Sequence, residues 1–350
     1  MYWPNETCHE GLIAFDVFLT VYDVSSIYSN LIYLAGLFAL IYRCPDYFRR
    51  YQMLLGFHTL VNMLFENYVT NIWKILVTPP WLSICSYGPI YQYPEYALGI
   101  FLTIIGTTAF SIMLLFEYRM RAVLSSEQKQ ISQVARCFRY LFYAFQLCVV
   151  GTYMNAYDSF KYQNDYKNEM NMISGPFPMF IYCDNCILFN FDSKKCIIFV
   201  VTAILSTSIA VNTILLMAWI SYSGLTSHHT VFSKRTMLLQ RSFLSSLFIQ
   251  ITVHLGLLAF PILFFFAAFL MKLTMEKWQV FTHILALLFA QHGSFSTLAM
   301  LISNKQLRRN LFSFVLRLRR KFSKHAGNSE MEKNTSSLAL QHYPTITRVI

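Results

Sequence analysis

ALGIFLTIIGTTAFSIMLLFEYRMR, residues 97–121, is the stretch that decides the fold class of this chain. Its first twenty residues carry no charge. A helix of that length, rising about 1.5 Å per residue, crosses the roughly 30 Å hydrocarbon core of a bilayer. The run ends in Glu117, Arg119 and Arg121, and a mainly basic flank is typical of a cytosolic helix end. The stretch therefore predicts a transmembrane helix that runs from outside to inside.

Small and hydroxyl residues recur along this helix at every fourth position: Gly99, Thr103, Thr107 and Ser111. Residues four apart share one helix face. Such a face lets neighbouring helices approach closely and lets hydroxyls bond across the interface. The pattern predicts that the helix is packed inside a bundle.

The charged end of the helix has two interpretations. An ordinary charged flank explains Glu117 and Arg119 by membrane topology alone. Alternatively, Arg119 is held by Glu117 or another acid in one state and is released to a cytosolic partner in the other.

The composition of the whole chain indicates an integral membrane protein. Of its 350 residues, 55% are hydrophobic and only 13% are charged, against roughly one quarter charged in soluble domains. The net charge of +11 lies mostly in short segments between apolar stretches and after the last one. That distribution favours contact with membrane lipids, acidic ones included, over binding to nucleic acid.

The predicted fold is an all-α integral membrane protein, a seven-transmembrane helix bundle with an amphipathic helix after span seven. Lys and Arg concentrate after spans one, three and five and in the tail, which predicts an outside N-terminus and a cytosolic C-terminus. The other six spans are expected at about Val24–Tyr42, Tyr51–Val77, Tyr140–Tyr157, Cys196–Tyr222, Ser242–Met271 and Trp278–Ser303.

Four segments follow from this topology. Residues 1–20 form an extracellular N-terminus and residues 21–304 the seven-transmembrane domain. Residues 305–326 place apolar side chains at helical spacing among basic ones, which predicts a cytosolic amphipathic helix on the inner leaflet. Residues 327–350 are polar and predict a disordered cytosolic tail.

The outer segments contain an acceptor pattern for N-glycosylation at Asn5. Four cysteines are predicted to face the oxidising side and are disulfide candidates: Cys8, Cys85, Cys183 and Cys186. Cys183 and Cys186 form a C-x-x-C pair, for which a disulfide to Cys8 or to Cys85 is expected, and the sequence leaves both partners open.

Glu66 has the highest free-energy cost of any residue inside the predicted spans, because a carboxylate is unfavourable in the hydrocarbon core. An ionisable residue at such a place is a functional hypothesis by default. Asn62 lies one helical turn earlier on nearly the same face. The pair has two interpretations, a structural contact within the bundle or a ligand contact. In the second, His254 and His283 join Asn62 and Glu66 as ligand-binding residues.

No chemistry of an enzyme is evident in the sequence. The intramembrane histidines, His58, His254, His283 and His292, lack the spacing of a helical metal site. No phosphate-binding loop or nucleophile elbow is present, so we expect no catalytic residues, no metal and no cofactor. Pro261 interrupts span six, where it predicts a kink that is either structural or a hinge.

Three stretches carry a resemblance to a known family. GTTAFSIMLLFEYRMRAVL is similar to the third-span signature of the nematode serpentine chemoreceptors, which are of the G-protein-coupled receptor type, class H first and class I second. KRTMLLQRSFLSSLFIQITVHLGLLAFP resembles their entry to span six. QHGSFSTLAMLISNKQLRRNL resembles their span seven and the basic segment after it. The chain departs from the family pattern at Tyr118, Met120, Gln306 and Leu307.

The resemblance implies a chemosensory receptor that binds a small odorant-like molecule in the outer half of the bundle. It implies signalling to a heterotrimeric G protein and a place in the plasma membrane, with sensory-neuron cilia expected. The residues it assigns to G-protein coupling are Glu117, Arg119, Arg121, Lys234, Arg235, Arg241 and Arg308.

Two other classes of protein compete with a receptor. In a membrane transporter or ligand-gated channel, Glu66 and the intramembrane histidines would form a proton or ion path. A membrane enzyme would require polar catalytic groups that converge in one cavity. Both alternatives need Glu66 and His254 to share one site.

Overall fold

The chain folds into a bundle of long helices with a small β-sheet at one end. The computed structural model describes residues 15–42, 49–78, 83–123, 129–174, 179–190, 192–227, 234–262, 264–265, 275–314 and 316. The helices are α1 (Phe15–Ile41), α2 (Arg49–Asn67), α3 (Pro94–Val123), α4 (Lys129–Lys161), α5 (Asn164–Ser174), α6 (Lys194–Ser227), α7 (Lys234–His254), α8 (Met275–Ser303) and α9 (residues 305–314). The strands are β1 (Ile75–Thr78), β2 (Ser83–Ser86) and β3 (Cys186–Leu188).

Six of these helices are long and apolar enough to cross a membrane: α1, α3, α4, α6, α7 and α8. The seventh member of the bundle is α2, which packs against α1, α3 and α8. Its mean hydropathy is low because it begins with two arginines and because His58, Asn62 and Glu66 lie along it. Those three side chains are buried against the other helices, so the polar face of α2 points into the bundle.

The helix predicted from residue 51 to Val77 is shorter than expected, and the prediction was wrong at its end. Regular α-helix stops at Asn67 and continues as one π-helical turn, Tyr68–Trp73, closed by a hydrogen bond from the Lys74 N–H to the Val69 carbonyl at 2.8 Å. Lys74 itself has a left-handed backbone, with φ of 49°. This turns the chain out of the helix and into β1, and the Lys74 ammonium pairs with Asp23 of α1 at 2.6 Å.

The three strands form an antiparallel sheet in the order β1, β2, β3. Cys85 lies directly opposite Cys186 in the register of β2 and β3, and a disulfide joins them. The end of the bundle that carries this sheet is called the sheet end below. Its core contains large buried side chains from both the sheet and the helices, among them Trp73, Leu76 and Phe289.

The helix α5 supports the sheet from the polar segment between α4 and α6. The Gln163 amide, just before α5, exchanges two hydrogen bonds with the backbone of Leu188 in β3, at 2.6 and 2.7 Å. One turn later the Lys167 ammonium donates to the carbonyls of Cys183 and Cys186 at 3.1 and 2.8 Å. These bonds pair one backbone N–H and three backbone carbonyls of β3 and of the turn before it.

A π-helical turn precedes Pro261 at the end of α7, and the kink predicted at this proline stays a prediction. The residues just before the proline, Leu255–Ala259, form a π-helical turn in which the Phe260 N–H bonds to the Leu255 carbonyl. Proline lacks an N–H and its ring crowds the carbonyl four residues earlier. A widened turn before Pro261 relieves that crowding, as π-bulges inside α-helices do.

Two glycines of α3 set its distance from α4. A Cβ added at Gly106 would lie 2.2 Å from Nε2 of Gln146, and one at Gly99 would lie 2.9 Å from the Tyr153 ring. The predicted close approach at Gly99 is therefore present. The hydroxyls of Thr103 and Thr107, however, bond to carbonyls of α3 itself, so the cross-helix hydrogen bonds predicted for these two threonines were wrong.

The helix α9 is tied to the first helix of the bundle. Asn304 caps it, because its side-chain oxygen accepts from the backbone N–H groups of Gln306 and Leu307 at 3.0 and 3.3 Å. Asn310 then donates its amide to the carbonyls of Ala39 and Tyr42 at 3.2 and 2.8 Å. These carbonyls lie in the last turn of α1 and just after it, where backbone acceptors lack partners within the helix.

Candidate functional site

A half-open cavity of about 130 Å³ lies between α3, α4, α6 and α7, and its lining includes exposed Thr207 and Leu215. Its walls are mainly aliphatic, and its polar lining groups come from Thr108, Gln146, Ser206, Thr207 and His254. The aliphatic and aromatic lining includes Ile105, Ala109, Ile112, Phe142, Ala210, Val211, Ile214, Ile251, Leu255, Leu258 and Ile262. A concave apolar site with a few convergent polar groups is the usual form of a small-molecule site.

The polar side chains on the α4 and α6 side of the cavity are bonded to each other and to α3. The Gln146 amide donates to the Leu102 carbonyl at 3.1 Å, and its oxygen accepts from the Ser206 hydroxyl at 3.3 Å. Gln146 can reach α3 because Gly106 leaves room for it. On the opposite wall, His254 bonds through Nδ1 to the Gln250 carbonyl at 2.8 Å.

Three buried histidines meet where α2, α7 and α8 face one another. The ring of His254 lies 5.4 Å from that of His58 and 5.2 Å from that of His292, between centroids. His58 bonds to the Ser111 hydroxyl at 2.8 Å and to the Asn62 amide at 3.0 Å. In the part of the chain that the structure describes, no three His, Cys, Asp or Glu side chains are arranged to hold a metal ion.

Glu66 lies in a separate polar contact between α1, α2 and α8. Its Oε2 accepts from the Tyr33 hydroxyl at 2.7 Å and from the Ser294 N–H at 2.9 Å, and its Oε1 lies 3.1 Å from the Ser294 hydroxyl. The neighbouring Gly293 permits this contact, because a Cβ there would lie 2.3 Å from the Tyr33 hydroxyl. Neither Tyr33 nor Ser294 was expected from the sequence as a partner of Glu66.

The four residues predicted to bind a ligand are not brought together. Of these, His254 lines the cavity, whereas Glu66 and Asn62 make the contacts described above. His283 lies on α8 beside Phe18, with 4.8 Å between the ring centroids. Because Glu66 and His254 lie in separate contacts, the arrangement does not favour the ion path or the catalytic cavity that the alternatives require.

The opposite end of the bundle buries Arg119, and this end is called the Arg119 end. The guanidinium donates to the Gln240 side-chain oxygen at 2.8 Å. Its central carbon lies 3.6 Å from the centre of the Tyr51 ring and 4.5 Å from that of Phe243, which is cation–π geometry. Arg119 is 4% exposed. It therefore joins α3 to α2 and α7.

Glu117 does not hold Arg119 in this structure, so the interpretation in which an acid holds Arg119 finds no support at Glu117. The Glu117 carboxylate instead forms ion pairs with Arg121 of its own helix and with Arg139 of α4. Two steps of 100° along a helix point Glu117 and Arg119 about 200° apart, so their side chains meet different neighbours. The sequence analysis missed Arg139 and Gln240, which are ordinary polar residues near predicted span ends.

The remaining predicted coupling residues lie around the same end. Arg241 and Arg308 are exposed, and Arg308 bonds to the Ile302 carbonyl at 3.0 Å. The side chains of Lys234 and Arg235 lie outside the described part of the structure, as do residues 317–326 of the predicted amphipathic helix and the whole predicted tail.

At the sheet end, the cysteine candidates are joined as Cys85–Cys186, and Cys183 is also disulfide-bonded. Asn5 and Cys8 lie outside the described residues. Lys167 is 2% exposed beneath the Cys183–Cys186 turn. Burial lowers the pKa of the Lys167 ammonium to about 8, although nearby Asp184 acts in the opposite direction.

Two comparisons with known proteins bear on this architecture. No curated protein sequence matches the chain. A family model does match, over residues 15–317, and its description is serpentine type 7TM GPCR chemoreceptor Srh.

Proposed function

Because this chain belongs to the Srh family of serpentine seven-transmembrane chemoreceptors, a group of multi-pass G-protein-coupled receptors, we propose that it binds a small ligand and signals to a heterotrimeric G protein. The proposed ligand site is the cavity between α3, α4, α6 and α7. The proposed coupling site is the Arg119 end.

One observation carries the proposal: α7 touches both sites. Gln240, near its start, holds Arg119, and His254, at its end, lines the cavity. At about 1.5 Å per residue these positions lie roughly 21 Å apart along one helix. A ligand that moves the cavity wall therefore acts on the same rigid element that covers Arg119. The π-helical turn at Leu255–Ala259 is a place where that element can change its geometry.

The mechanism is a shift between two states of α7. In the resting state Gln240, Tyr51 and Phe243 cover Arg119. In the active state α7 moves away, and Arg119 becomes free to bond with backbone carbonyls or acidic groups of the G protein. The ligand produces this shift only to the extent that it binds the active state more tightly. Exposed Arg241 and Arg308, with Lys234 and Arg235, supply positive charge that attracts an acidic partner surface.

The orientation in the membrane is part of the proposal. The Arg119 end joins segments rich in Lys and Arg, which supports a cytosolic location. The sheet end carries the Cys85–Cys186 disulfide, and disulfides persist on the oxidising side of a membrane. We place the N-terminus outside, with sugar on Asn5, and the receptor in the plasma membrane of sensory-neuron cilia.

A test of coupling needs no ligand. Gln240→Ala removes the hydrogen bond that holds Arg119, and a bond to a charged group contributes about 1.5–3 kcal/mol. Its loss is expected to shift the equilibrium about tenfold or more toward the active state. Basal nucleotide exchange is measured on a panel of co-expressed G-protein α subunits, normalised to receptor at the cell surface. Gln240→Ala should raise basal nucleotide exchange. Adding Arg119→Ala to the Gln240→Ala receptor should abolish this increase.

Gln133→Ala serves as the matched control, because Gln133 is an exposed glutamine of α4 near the same end of the bundle. It should leave basal exchange unchanged. Equal exchange in the wild type and in Gln240→Ala, at equal surface amounts, would contradict coupling through Arg119.

A further inference from the structure

One face of α6 is exposed over the length of a membrane span. Seven of its side chains recur three and four residues apart and are all exposed: Val201, Leu205, Ser208, Asn212, Leu215, Trp219 and Tyr222. This set is called the α6 stripe. A helix has 3.6 residues per turn, so this spacing keeps the seven side chains on one side. The stripe is about 32 Å long, which matches the roughly 30 Å hydrocarbon core of a bilayer.

Asn212 is the member of the α6 stripe that lipid does not suit. It is exposed near the middle of α6, where the surroundings are hydrocarbon. Among the described residues of the six apolar helices, the only other exposed asparagine is Asn155, which lies six residues before the end of α4. Water and lipid headgroups can bond to an asparagine near a helix end. At the depth of Asn212 a polar group is unfavourable unless another protein group bonds to it.

The Asn212 side chain uses only part of its hydrogen-bonding capacity. Its amide nitrogen donates to the Ser208 carbonyl, one turn earlier, at 2.8 Å. A carboxamide has a second N–H and an oxygen with two lone pairs, and no described residue bonds to either of these. Asn212 therefore presents one donor and one acceptor on the lipid-facing side of α6.

A second copy of the chain supplies the matching groups. Two copies have the same orientation in the membrane, so each residue lies at the same depth as its counterpart. When two α6 stripes face each other across a two-fold axis along the membrane normal, Asn212 meets Asn212. The free N–H of each amide can then donate to the oxygen of the other. The α6 stripe contains no charged residue that would repel its copy, and Ser208 is small enough to let the helices approach closely.

We propose that the receptor forms a symmetric dimer through the α6 stripe, in which the two Asn212 carboxamides bond to each other inside the membrane. A buried asparagine pair also fixes the register of two helices. Trp219 and Tyr222 then pack against their own counterparts nearer the Arg119 end. The dimer is independent of the ligand and of the G protein proposed above.

The first test measures the strength of association in lipid. Full-length receptor with one fluorophore at its C-terminus is reconstituted in liposomes at decreasing ratios of protein to lipid. Photobleaching steps count the copies in each spot and give the dissociation constant of the dimer. Asn212→Leu should weaken the dimer by about tenfold, because it removes both hydrogen bonds between the helices. Asn212→Gln keeps a carboxamide and should retain part of the affinity.

Asn155→Leu is the matched control, since it makes the same substitution at an exposed asparagine outside the α6 stripe. It should leave the dissociation constant unchanged. Leucine suits a lipid-facing position, so the thermal unfolding midpoint of Asn212→Leu should not fall. This measurement separates a loss of the dimer from a loss of the fold.

The second test locates the contact by cysteine cross-linking. The background receptor carries Cys137→Ala and Cys148→Ala, which remove the two exposed free thiols among the described residues. With copper phenanthroline as oxidant, Ser208→Cys should form a disulfide with its own copy and give a covalent dimer. Thr252→Cys, at an exposed position of α7, should remain monomeric.

Three results would overturn the inference: monomers at every ratio of protein to lipid, an equal effect of Asn212→Leu and Asn155→Leu, or cross-linking of Thr252→Cys as readily as of Ser208→Cys. A receptor that cross-links in cell membranes through Ser208→Cys only to a different protein would assign the α6 stripe to that partner, and it too would contradict the dimer.

Discussion

Ser294 of α8 donates its backbone N–H to Glu66 of α2 at 2.9 Å, and its hydroxyl lies 3.1 Å from the other carboxylate oxygen. Tyr33 of α1 adds a third contact at 2.7 Å. A carboxyl group inside a bundle is costly unless its oxygens are bonded. These contacts therefore explain how Glu66 is tolerated, and they make it a junction of three helices.

Glu66→Gln is expected to keep the receptor folded, whereas Glu66→Leu is not. The Gln oxygen can accept from Tyr33 and from the Ser294 N–H, while its amide can donate to the Ser294 hydroxyl, which can turn its own proton to the Gln291 carbonyl at 3.0 Å. Leucine leaves buried donors unpaired, at about 1–3 kcal/mol each. The measurement is surface expression together with the thermal unfolding midpoint in detergent. Equal losses in both variants would show that charge, not hydrogen bonding, is what Glu66 contributes.

Gly293→Ala is expected to destabilise the bundle by about 1–3 kcal/mol, the usual cost of overpacking. The added Cβ would lie 2.3 Å from the Tyr33 hydroxyl and 2.9 Å from Cβ of Asn62. The double variant Gly293→Ala, Tyr33→Phe lacks the Tyr33 hydroxyl, which is the atom nearest to the added Cβ. It should recover part of the lost stability, and thermal unfolding midpoints measure the recovery.

Gly151→Ala is the control for this substitution. Gly151 lies in α4 with no atom within 4 Å of an added Cβ. Alanine there should be neutral or stabilising by about 0.5–1 kcal/mol, because glycine is unfavourable inside a helix. A similar fall in both midpoints would mean that the close contact with Tyr33 is unimportant.

Arg139→Met is expected to destabilise the Arg119 end more than Arg121→Met. Both arginines pair with Glu117, whose side chain is 4% exposed. Arg139 is 11% exposed and Arg121 is 58% exposed. Loss of a buried partner typically costs about 3–5 kcal/mol, whereas exposed pairs contribute about 0–1 kcal/mol. Unfolding midpoints of the two variants measure the difference, and the reverse order would contradict this account of Glu117.

Stability of the sheet end is expected to rise with pH above about 8 because of Lys167. Its pKa is lowered to about 8 in the folded chain from an ordinary value of 10.5. Between these values the unfolded chain binds a proton that the folded chain has lost, so the free energy of unfolding increases with pH. Below pH 8 both forms are protonated and the contribution is constant.

Lys167→Met isolates this effect, because it removes the titrating group. The difference in unfolding midpoint between wild type and Lys167→Met, with free thiols blocked, should grow in favour of the wild type from pH 8 to pH 10. A difference that is flat over this range would show that Lys167 keeps an ordinary pKa.

Uncharged length in the sequence was sufficient to predict the six long apolar helices α1, α3, α4, α6, α7 and α8. It was insufficient for β1. Ile75, Leu76 and Val77 are an apolar run that continues a helix as well as it forms a strand. Its conformation depends on pairing with β2 and, through β2, on β3 about a hundred residues later along the chain. No periodicity within the segment contains that information.

The site was partly predictable for a related reason. The cost of a buried charge identifies Glu66 and Arg119 as unusual, but it does not identify their partners. Ser294 is 228 residues from Glu66, and Gln240 is 121 residues from Arg119. A serine and a glutamine are common residues, and helix packing alone makes these two into partners.

Asn310 has a practical consequence for anyone who modifies this receptor. Its amide bonds to the end of α1 from a helix that follows the final span, so the first and last helices of the chain depend on each other. A fluorescent reporter inserted directly after Ser303 would leave the carbonyls of Ala39 and Tyr42 without their donor and would loosen the helix at the opposite end of the sequence. Reporters and truncations belong beyond residue 316.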